Sequence, residues 1–264
     1  MYPILSVFGI PFGTYGICCV LGGIFAILLA LHNAKQSQLD RFSMLEACVA
    51  ALFGGLLGAK LLYLLVSCSD IYHMFQDYGI TWDTISSILE GGFVFYGGLL
   101  GGMATLAIYT YRQQQSLQCY LTCIAPAVPF AHAFGRIGCF FAGCCYGIPF
   151  DPPIGMCLKN AISNAPKEIP LFPVQLLESI LNLILALILQ ICFRKLQKKE
   201  RVIPFYLSAY AVIRMVTEQF RYDAERGIWL GLSTSEWISI GIFLCGIVTL
   251  FLQNNKISRT KPTT

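Results

Sequence analysis

Charged residues are scarce in this sequence. Asp, Glu, Lys and Arg make up 12% of its 264 residues, and soluble domains usually carry about twice that share. Hydrophobic residues reach 56%, and the mean hydropathy is +0.66. This balance excludes an ordinary soluble domain and predicts a polytopic membrane protein.

Other features are missing as well. The net charge is only +4, and no basic run is interleaved with aromatic residues, so nucleic acid is not an expected partner. The first apolar stretch, Ile10 to Leu31, has no basic segment before it and no small-residue cleavage site after it. We expect it to be a retained span. Because no repeat, low-complexity tract or second domain is evident, one helical membrane domain is expected over residues 1–264.

Long apolar segments are what the sequence does have. A transmembrane helix needs about 20 mostly apolar residues. The third segment is rich in glycine, and prolines and charges interrupt the fourth, so either is expected to be broken, tilted or partly re-entrant. The predicted fold class is all-α, with about seven transmembrane helices over residues 10–31, 44–67, 93–111, 119–143, 173–193, 204–220 and 236–253.

The distribution of Lys and Arg predicts the orientation. With seven spans, eleven would lie on one side of the membrane: Lys35, Arg41, Arg112, Arg194, Lys195, Lys198, Lys199, Arg201, Lys256, Arg259 and Lys261. Four would lie on the other side: Lys159, Lys167, Arg221 and Arg226. Since cytoplasmic loops are enriched in Lys and Arg, we expect the N-terminus outside and the C-terminus in the cytoplasm.

Three basic residues, Lys60, Arg136 and Arg214, fall inside predicted spans, where a charge is costly and marks a candidate functional site. Lys60 could instead extend its amine to the interface. Arg214 lies four residues before Glu218, so the two could neutralise each other on one helix face.

Arg136 is surrounded by small residues. The glycines at 135, 138, 143 and 147 thin the wall of side chains around it and let a bulky partner approach the backbone. A planar guanidinium suits a phosphate or carboxylate, and in a bilayer the abundant phosphate is a lipid headgroup. Arg136, Arg214, Glu218 and Arg221 all fall toward the predicted outer ends of their spans, so we expect a site near the outer leaflet.

The motifs around these residues resemble those of the prolipoprotein diacylglyceryl transferases, bacterial membrane enzymes that move a diacylglyceryl group from phosphatidylglycerol to a lipoprotein-precursor cysteine. The resemblance covers nearly the whole chain and also implies seven spans with the N-terminus outside. "GRIGCFFAGCCYG" resembles the family signature around a phosphatidylglycerol-binding arginine, here Arg136. The other matches are "TYGI" (with Tyr15), "GAKLLY" (58–63), "GGFVFYGGLLGG" (91–102), "FPVQLLES" (172–179) and "RMVTEQFR" (214–221).

The chain departs from the family pattern at several positions. Tyr96 stands where better-known members have a histidine proposed to take part in catalysis. Cys139 replaces an asparagine, Cys144 a glutamate and Lys60 an arginine. These changes leave the lipid-binding motif intact and put the proton-transfer chemistry and the acceptor in question.

Roles follow from the chemistry of thioether formation. The leaving phosphate gains negative charge, which Arg136 and Arg214 would stabilise. We expect Glu218 to orient Arg214 and Tyr15 to donate a hydrogen bond to the headgroup. His132, four residues before Arg136, is a candidate base or a neutral hydrogen-bonded histidine of the bundle. Tyr96 is expected to position substrate. Expected lipid-binding residues also include Gly138, Gly143, Gly147 and Arg221.

Twelve cysteines permit several interpretations. Cys139, Cys144 and Cys145 have a C-x4-C-C spacing that lacks the paired C-x2–4-C arrangement typical of structural zinc. A disulfide is compatible with an oxidising compartment, but most cysteines fall within spans, where they behave as small apolar residues. Packing is therefore the favoured interpretation, and no metal or cofactor is expected.

Together with these patterns, the family resemblance implies a transferase of the bacterial inner membrane, with its active site toward the outer leaflet. Its expected partners are phosphatidylglycerol, the prolipoprotein signal peptide with its lipobox cysteine, and membrane lipids. The alternatives are a divergent paralogue with another acceptor, or a non-catalytic phospholipid-binding or transporting protein. Enzymatic turnover would distinguish them.

Overall fold

A computed structural model of the chain describes residues 2–7, 9–161, 163, 165–222 and 227–259. Arg226 and Lys261, two of the charges that predict the orientation, lie outside these residues. Helices dominate, and the strands form two short hairpins: β1 (Ile4–Val7) with β2 (Ile10–Gly13), and β3 (Ile228–Trp229) with β4 (Leu232–Ser233). The α-helices are α1 (Thr14–Gln36), α2 (Arg41–Val66), α3 (Cys68–Tyr78), α4 (Trp82–Glu90), α5 (Phe95–Arg112), α6 (Leu117–Ile124), α7 (Ala127–Ala142), α8 (Val174–Lys195), α9 (Val202–Glu218) and α10 (Thr234–Arg259).

Several helices are long and apolar enough to cross a membrane. Among the described residues there are four of them: Thr14–Gln36, Arg41–Val66, Val174–Lys195 and Thr234–Gln253. If the bent pair of α6 and α7 is counted as one span, the number of candidate spans rises to five. The prediction of an all-α polytopic membrane protein is therefore confirmed. Helices α5 and α9 coincide with the remaining two predicted segments, and the count of seven and the orientation stay predictions.

The chain divides into two compact units. The first comprises Met1–Asn33 and Leu121–Thr264, and the second comprises Ala34–Tyr120. Each unit is described separately below. The expectation of one domain stays a prediction.

The fourth predicted span is interrupted, as the sequence indicates. Helices α6 and α7 meet at an angle of 44°, and the break falls at Ala125 and Pro126. Proline lacks the N–H that a continuous helix needs, and it disfavours helical conformation in the residue before it. The bend therefore has a local cause.

The third predicted span forms one unbroken helix, so a break is excluded there, and a tilt stays a prediction. Helix α5 runs without interruption, and its glycines instead allow close packing on α2. A Cβ built at Gly58 would lie 2.9 Å from Gly101 Cα, and one built at Gly54 would lie 3.0 Å from Gly101 O. Such glycines at four-residue spacing let two membrane helices approach backbone to backbone.

Helix α8 forms the centre of the first unit. Its buried face combines apolar side chains with several polar ones, and two of these bind the chain on either side of α7's end. Ser179 Oγ donates to Ala133 O at 3.0 Å, and Gln175 Nε2 donates to Cys144 O at 2.8 Å. A buried polar side chain is favourable only when it is hydrogen-bonded, so these contacts fix α8 against α7 in one register.

Candidate functional site

A buried carboxylate on α8 joins the charged residues of the first unit. Glu178 is 1% exposed. Its Oε2 lies 3.0 Å from Nε of Arg136 and 4.0 Å from Nη1 of Arg214, and its Oε1 lies 3.5 Å from Nε2 of His132. The predicted same-face placement of His132 and Arg136 thus brings both side chains to one carboxylate.

The second half of the cluster lies on α9 and just beyond its end. Arg214 Nη2 and Glu218 Oε2 are 2.6 Å apart, which confirms the predicted pairing of these two residues. Arg221 Nη1 lies 3.9 Å from the same Glu218 oxygen. Arg214 therefore contacts both carboxylates and connects the two halves of one network.

The first turn of α10 adds support to Arg214. Arg214 Nη2 donates to Ser235 Oγ at 3.0 Å. Ser233 and Glu236 form a reciprocal cap at the start of α10, with Ser233 N donating to Glu236 Oε2 and Glu236 N donating to Ser233 Oγ. Because this cap fixes the first helical turn, it also fixes the position of Ser235.

The cluster is largely shielded from solvent. Side-chain exposure is 22% for His132, 15% for Arg136, 11% for Arg214 and 2% for Glu178. The described ion pairs join three guanidinium groups, of Arg136, Arg214 and Arg221, to two carboxylates, those of Glu178 and Glu218. These groups carry one formal positive charge in excess, which favours an anionic ligand.

Arg136 retains donors for such a ligand. Its guanidinium contacts Glu178 through Nε. Within the described part of the chain, its two Nη groups form no ion pair or hydrogen bond. Two parallel N–H donors match two oxygens of a phosphate or carboxylate. The two Nη groups of Arg136 can therefore bind an anion while Glu178 holds the Nε.

Three cysteines converge where α7 ends. Gly143, with φ of +76°, caps the helix in the left-handed region, and the φ of Cys145 is +56°. The sulfur atoms of Cys139, Cys144 and Cys145 all lie within 4.8 Å of one another. Hydrogen bonds with Cys139 and Cys144, and the positive charges of Arg136 and Arg221, lower the pKa of the Cys145 thiol against the opposing effect of burial.

The predicted lipid-binding glycines pack against protein. A Cβ at Gly138 would lie 3.1 Å from the Tyr15 ring, and one at Gly143 would lie 2.8 Å from Ala161 Cα. A Cβ at Gly147 would collide with the carbonyl oxygens of Phe172 and Phe220. The structure thus assigns these glycines a packing function, whereas at Gly135 a Cβ would meet nothing within 4 Å. Lipid contact by Gly138, Gly143, Gly147 and Tyr15 stays a prediction.

Tyr96 and Lys60 belong to the second unit. Tyr96 lies in the first turn of α5, is 42% exposed, and contacts the Phe95 ring at a centroid distance of 5.7 Å. Lys60 Nζ donates to the carbonyl oxygens of Ile88, Leu89 and Gly91 at 2.8, 3.0 and 3.1 Å. Lys60 therefore caps the C-terminal end of α4, where a positive charge is favourable.

Glu178 is the site residue that the sequence analysis missed. Its signal was present, because it is a carboxylate inside the predicted fifth span and within the "FPVQLLES" motif. An ionisable residue at such a position is a functional candidate whatever the sign of its charge. The basic residues of the spans alone do not reveal it.

These features define the class of protein. The chain combines apolar helices of spanning length with a buried network of arginines, glutamates and a histidine, which describes a polytopic membrane protein with a buried ionic cluster.

Comparison with known proteins specifies the family. The family model for prolipoprotein diacylglyceryl transferase matches residues 3–252. Phosphatidylglycerol–prolipoprotein diacylglyceryl transferase of Clostridium tetani is 35% identical over 94% of this chain and 96% of its own length. Transferase 2 of Clostridium perfringens is 32% identical over 98% and 96%, and the Streptococcus uberis transferase is 30% identical over 92% and 91%. The chain belongs to the prolipoprotein diacylglyceryl transferase family.

Proposed function

We propose that this protein transfers the diacylglyceryl group of phosphatidylglycerol to a cysteine thiol of prolipoproteins and forms a thioether. Family membership supports the activity, and the names of the relatives supply both substrates. The acceptor thiol is that of the lipobox cysteine in the signal peptide. The protein acts in the bacterial inner membrane, with its site toward the outer leaflet.

One observation carries the proposal at the level of atoms. Arg136 is held by Glu178 through Nε, while its two Nη groups form no hydrogen bond or ion pair with the described residues. A guanidinium fixed on one edge and available on the other is preorganised for a phosphate. Arg136 therefore binds the phosphate of the lipid headgroup.

The reaction requires stabilisation of that phosphate. The thiol sulfur forms a bond to the glycerol carbon of the diacylglyceryl group, and the bond from that carbon to the phosphate oxygen breaks. Glycerol phosphate leaves with the electron pair, and the thiol proton is released. As negative charge accumulates on the departing oxygens, fixed guanidinium groups lower the barrier more than they stabilise bound substrate.

The other residues of the cluster have complementary roles. Arg214, held by Glu218 and Ser235, supplies a second positive charge. His132 accepts the thiol proton, and the Glu178 oxygen 3.5 Å from its Nε2 orients the ring. Tyr15, packed beside Gly138, donates to the headgroup.

A reconstituted assay tests the proposal. The purified protein is placed in liposomes that contain phosphatidylglycerol labelled in its acyl chains, together with a lipobox peptide that has a single cysteine. We expect label on the peptide, no label when serine replaces the peptide cysteine, and no transfer by Arg136→Ala. Arg112→Ala is the matched control, because Arg112 is exposed and should leave the rate unchanged.

Two results would overturn the proposal. The first is an absence of transfer by folded wild-type protein that still binds phosphatidylglycerol vesicles, which would leave a binding role or another acceptor. The second is wild-type transfer by folded Arg136→Ala, which would remove Arg136 from the reaction.

A further inference from the structure

We propose that Cys139, Cys144 and Cys145 form a binding site for a soft or borderline metal ion, such as Zn²⁺, Cd²⁺ or Cu⁺. Their three sulfur atoms lie within 4.8 Å of one another. Among the described residues, no other group of three cysteine, histidine or acidic side chains brings its ligand atoms so close together. The inference does not depend on the transferase activity.

The backbone creates this convergence. Cys139 lies on the last turn of α7, and the chain then reverses through Gly143 in the left-handed region. The N–H groups of Gly143 and Cys144 both donate to Cys139 O, at 2.9 and 3.2 Å. Cys145 is a second left-handed residue, with φ of +56°, and its sulfur lies within 4.8 Å of the Cys139 sulfur. The three cysteines, whose sequence spacing does not match zinc motifs, are thus brought together by two left-handed residues, Gly143 and Cys145.

The turn that holds the cysteines is fixed from outside. Gln175 Nε2 donates to Cys144 O at 2.8 Å, and Ser163 Oγ donates to Gly143 O at 2.6 Å. A bulky residue at 143 is disfavoured by the positive φ and by Ala161. Three thiols on a fixed turn lose little conformational freedom when they bind an ion.

The geometry matches thiolate coordination. With metal–sulfur bonds of about 2.3 Å, a tetrahedral ion separates its sulfur ligands by about 3.8 Å. The observed spacing is therefore within reach of small side-chain rotations. Three sulfur ligands select soft and borderline ions over Mg²⁺ and Ca²⁺, which prefer oxygen.

The surrounding charge favours the filled site. Arg136 interacts electrostatically with Cys139 and Cys145, and Arg221 with Cys145. Three thiolates and one divalent ion together carry a single negative charge, and the thiol protons are released to solvent on binding. That single negative charge would lie near the guanidinium groups of Arg136 and Arg221, which favour it electrostatically.

Direct metal titration tests the site. The full-length protein, with all thiols reduced and oxygen excluded, is titrated with Cd²⁺ in detergent micelles. We expect thiolate-to-metal charge-transfer absorption that saturates at one ion per chain. Alkylation followed by mass spectrometry should show that bound Cd²⁺ protects Cys139, Cys144 and Cys145, while exposed Cys157 is still modified.

Variants give the matched comparison. Cys144→Ser should weaken Cd²⁺ binding by more than about 100-fold, because loss of an outer-shell partner alone already costs roughly 10- to 100-fold. Cys157→Ser should bind Cd²⁺ like the wild type. No charge-transfer absorption in reduced wild-type protein would overturn the proposal. Unchanged absorption in Cys144→Ser, or Cd²⁺ protection of Cys157 in place of the three cysteines, would overturn it equally. The wild-type titration and protection experiments keep the test decisive should a variant fail to fold.

Discussion

Glu178 and Arg136 form a buried ion pair in which the carboxylate oxygen Oε2 lies 3.0 Å from the guanidinium Nε. The pair joins α8 to α7, and the same carboxylate contacts His132 and Arg214. Glu178 is therefore the point at which the three basic side chains meet. Its position explains how arginines in apolar helices are accommodated while one of them keeps donors for a ligand.

Replacing Glu178 by glutamine should destabilise the protein and impair transfer. The change keeps the shape and removes the charge, which leaves Arg136 buried beside a neutral group. Loss of one partner from a buried pair costs on the order of 3 kcal/mol, so we expect a lower thermal unfolding temperature in detergent and a transfer rate reduced by about 100-fold.

Glu168→Gln is the matched control for this substitution, since Glu168 is exposed. It should leave both the unfolding temperature and the transfer rate unchanged. Wild-type stability and activity in Glu178→Gln would show that the ion pair does not organise the site.

Gly147→Ala should destabilise the fold. The new methyl group would collide with the carbonyl oxygens of Phe172 and Phe220, and backbone atoms cannot move aside as a flexible side chain can. Overpacking of this kind costs about 1–3 kcal/mol. Thermal unfolding followed by circular dichroism measures the effect.

Gly135→Ala provides the comparison, because a Cβ there meets nothing within 4 Å. In a helix interior this substitution usually stabilises by about 0.5–1 kcal/mol. Equal unfolding temperatures for the two variants would contradict the packing function of Gly147.

Lys60→Met should loosen the C-terminal end of α4. The substitution removes three hydrogen bonds to the carbonyl oxygens of Ile88, Leu89 and Gly91. Helix ends without partners for their last carbonyl groups fray, so amide hydrogen exchange over residues 82–92 should accelerate. Exposed Lys159→Met should leave exchange in this segment as it is, and unaltered exchange in Lys60→Met would refute the capping role.

Much of this architecture can be predicted from sequence because apolar length and proline have local consequences. Each of the seven predicted segments contains a helix, although the first begins with the strand β2, and the break at Pro126 follows from the missing N–H. The pairing of Arg214 with Glu218 follows from their four-residue spacing. Each of these predictions needs only the residues of one helix.

The remaining features depend on contacts between distant segments. Glycines in α5 suggest a break when α5 is considered alone, and they serve close packing once α2 is beside it. The role of Lys60 could not be predicted, because α4 was not among the predicted helices. The convergence of the three cysteines depends on the left-handed conformation of Cys145, which is rare for residues other than glycine.

His132→Asn should lower the turnover of the thiol acceptor and leave the KM for phosphatidylglycerol nearly unchanged, if His132 accepts the thiol proton. The deficit should shrink as the pH rises toward the ordinary thiol pKa of about 8.5, because the acceptor then ionises without a base. The measurement is a pH series of transfer rates. His73→Asn, at an exposed position of α3, should match the wild type throughout, and a deficit independent of pH would restrict His132 to a structural role.

The most direct test of the account is the transfer rate of Arg136→Lys in phosphatidylglycerol liposomes. Lysine preserves the positive charge and lacks the planar edge with two parallel donors. The account predicts that kcat/KM falls by at least about 100-fold in a folded protein, while Arg112→Lys keeps the wild-type rate. A rate within about twofold of wild type for Arg136→Lys, well under 1 kcal/mol in transition-state free energy, would contradict it.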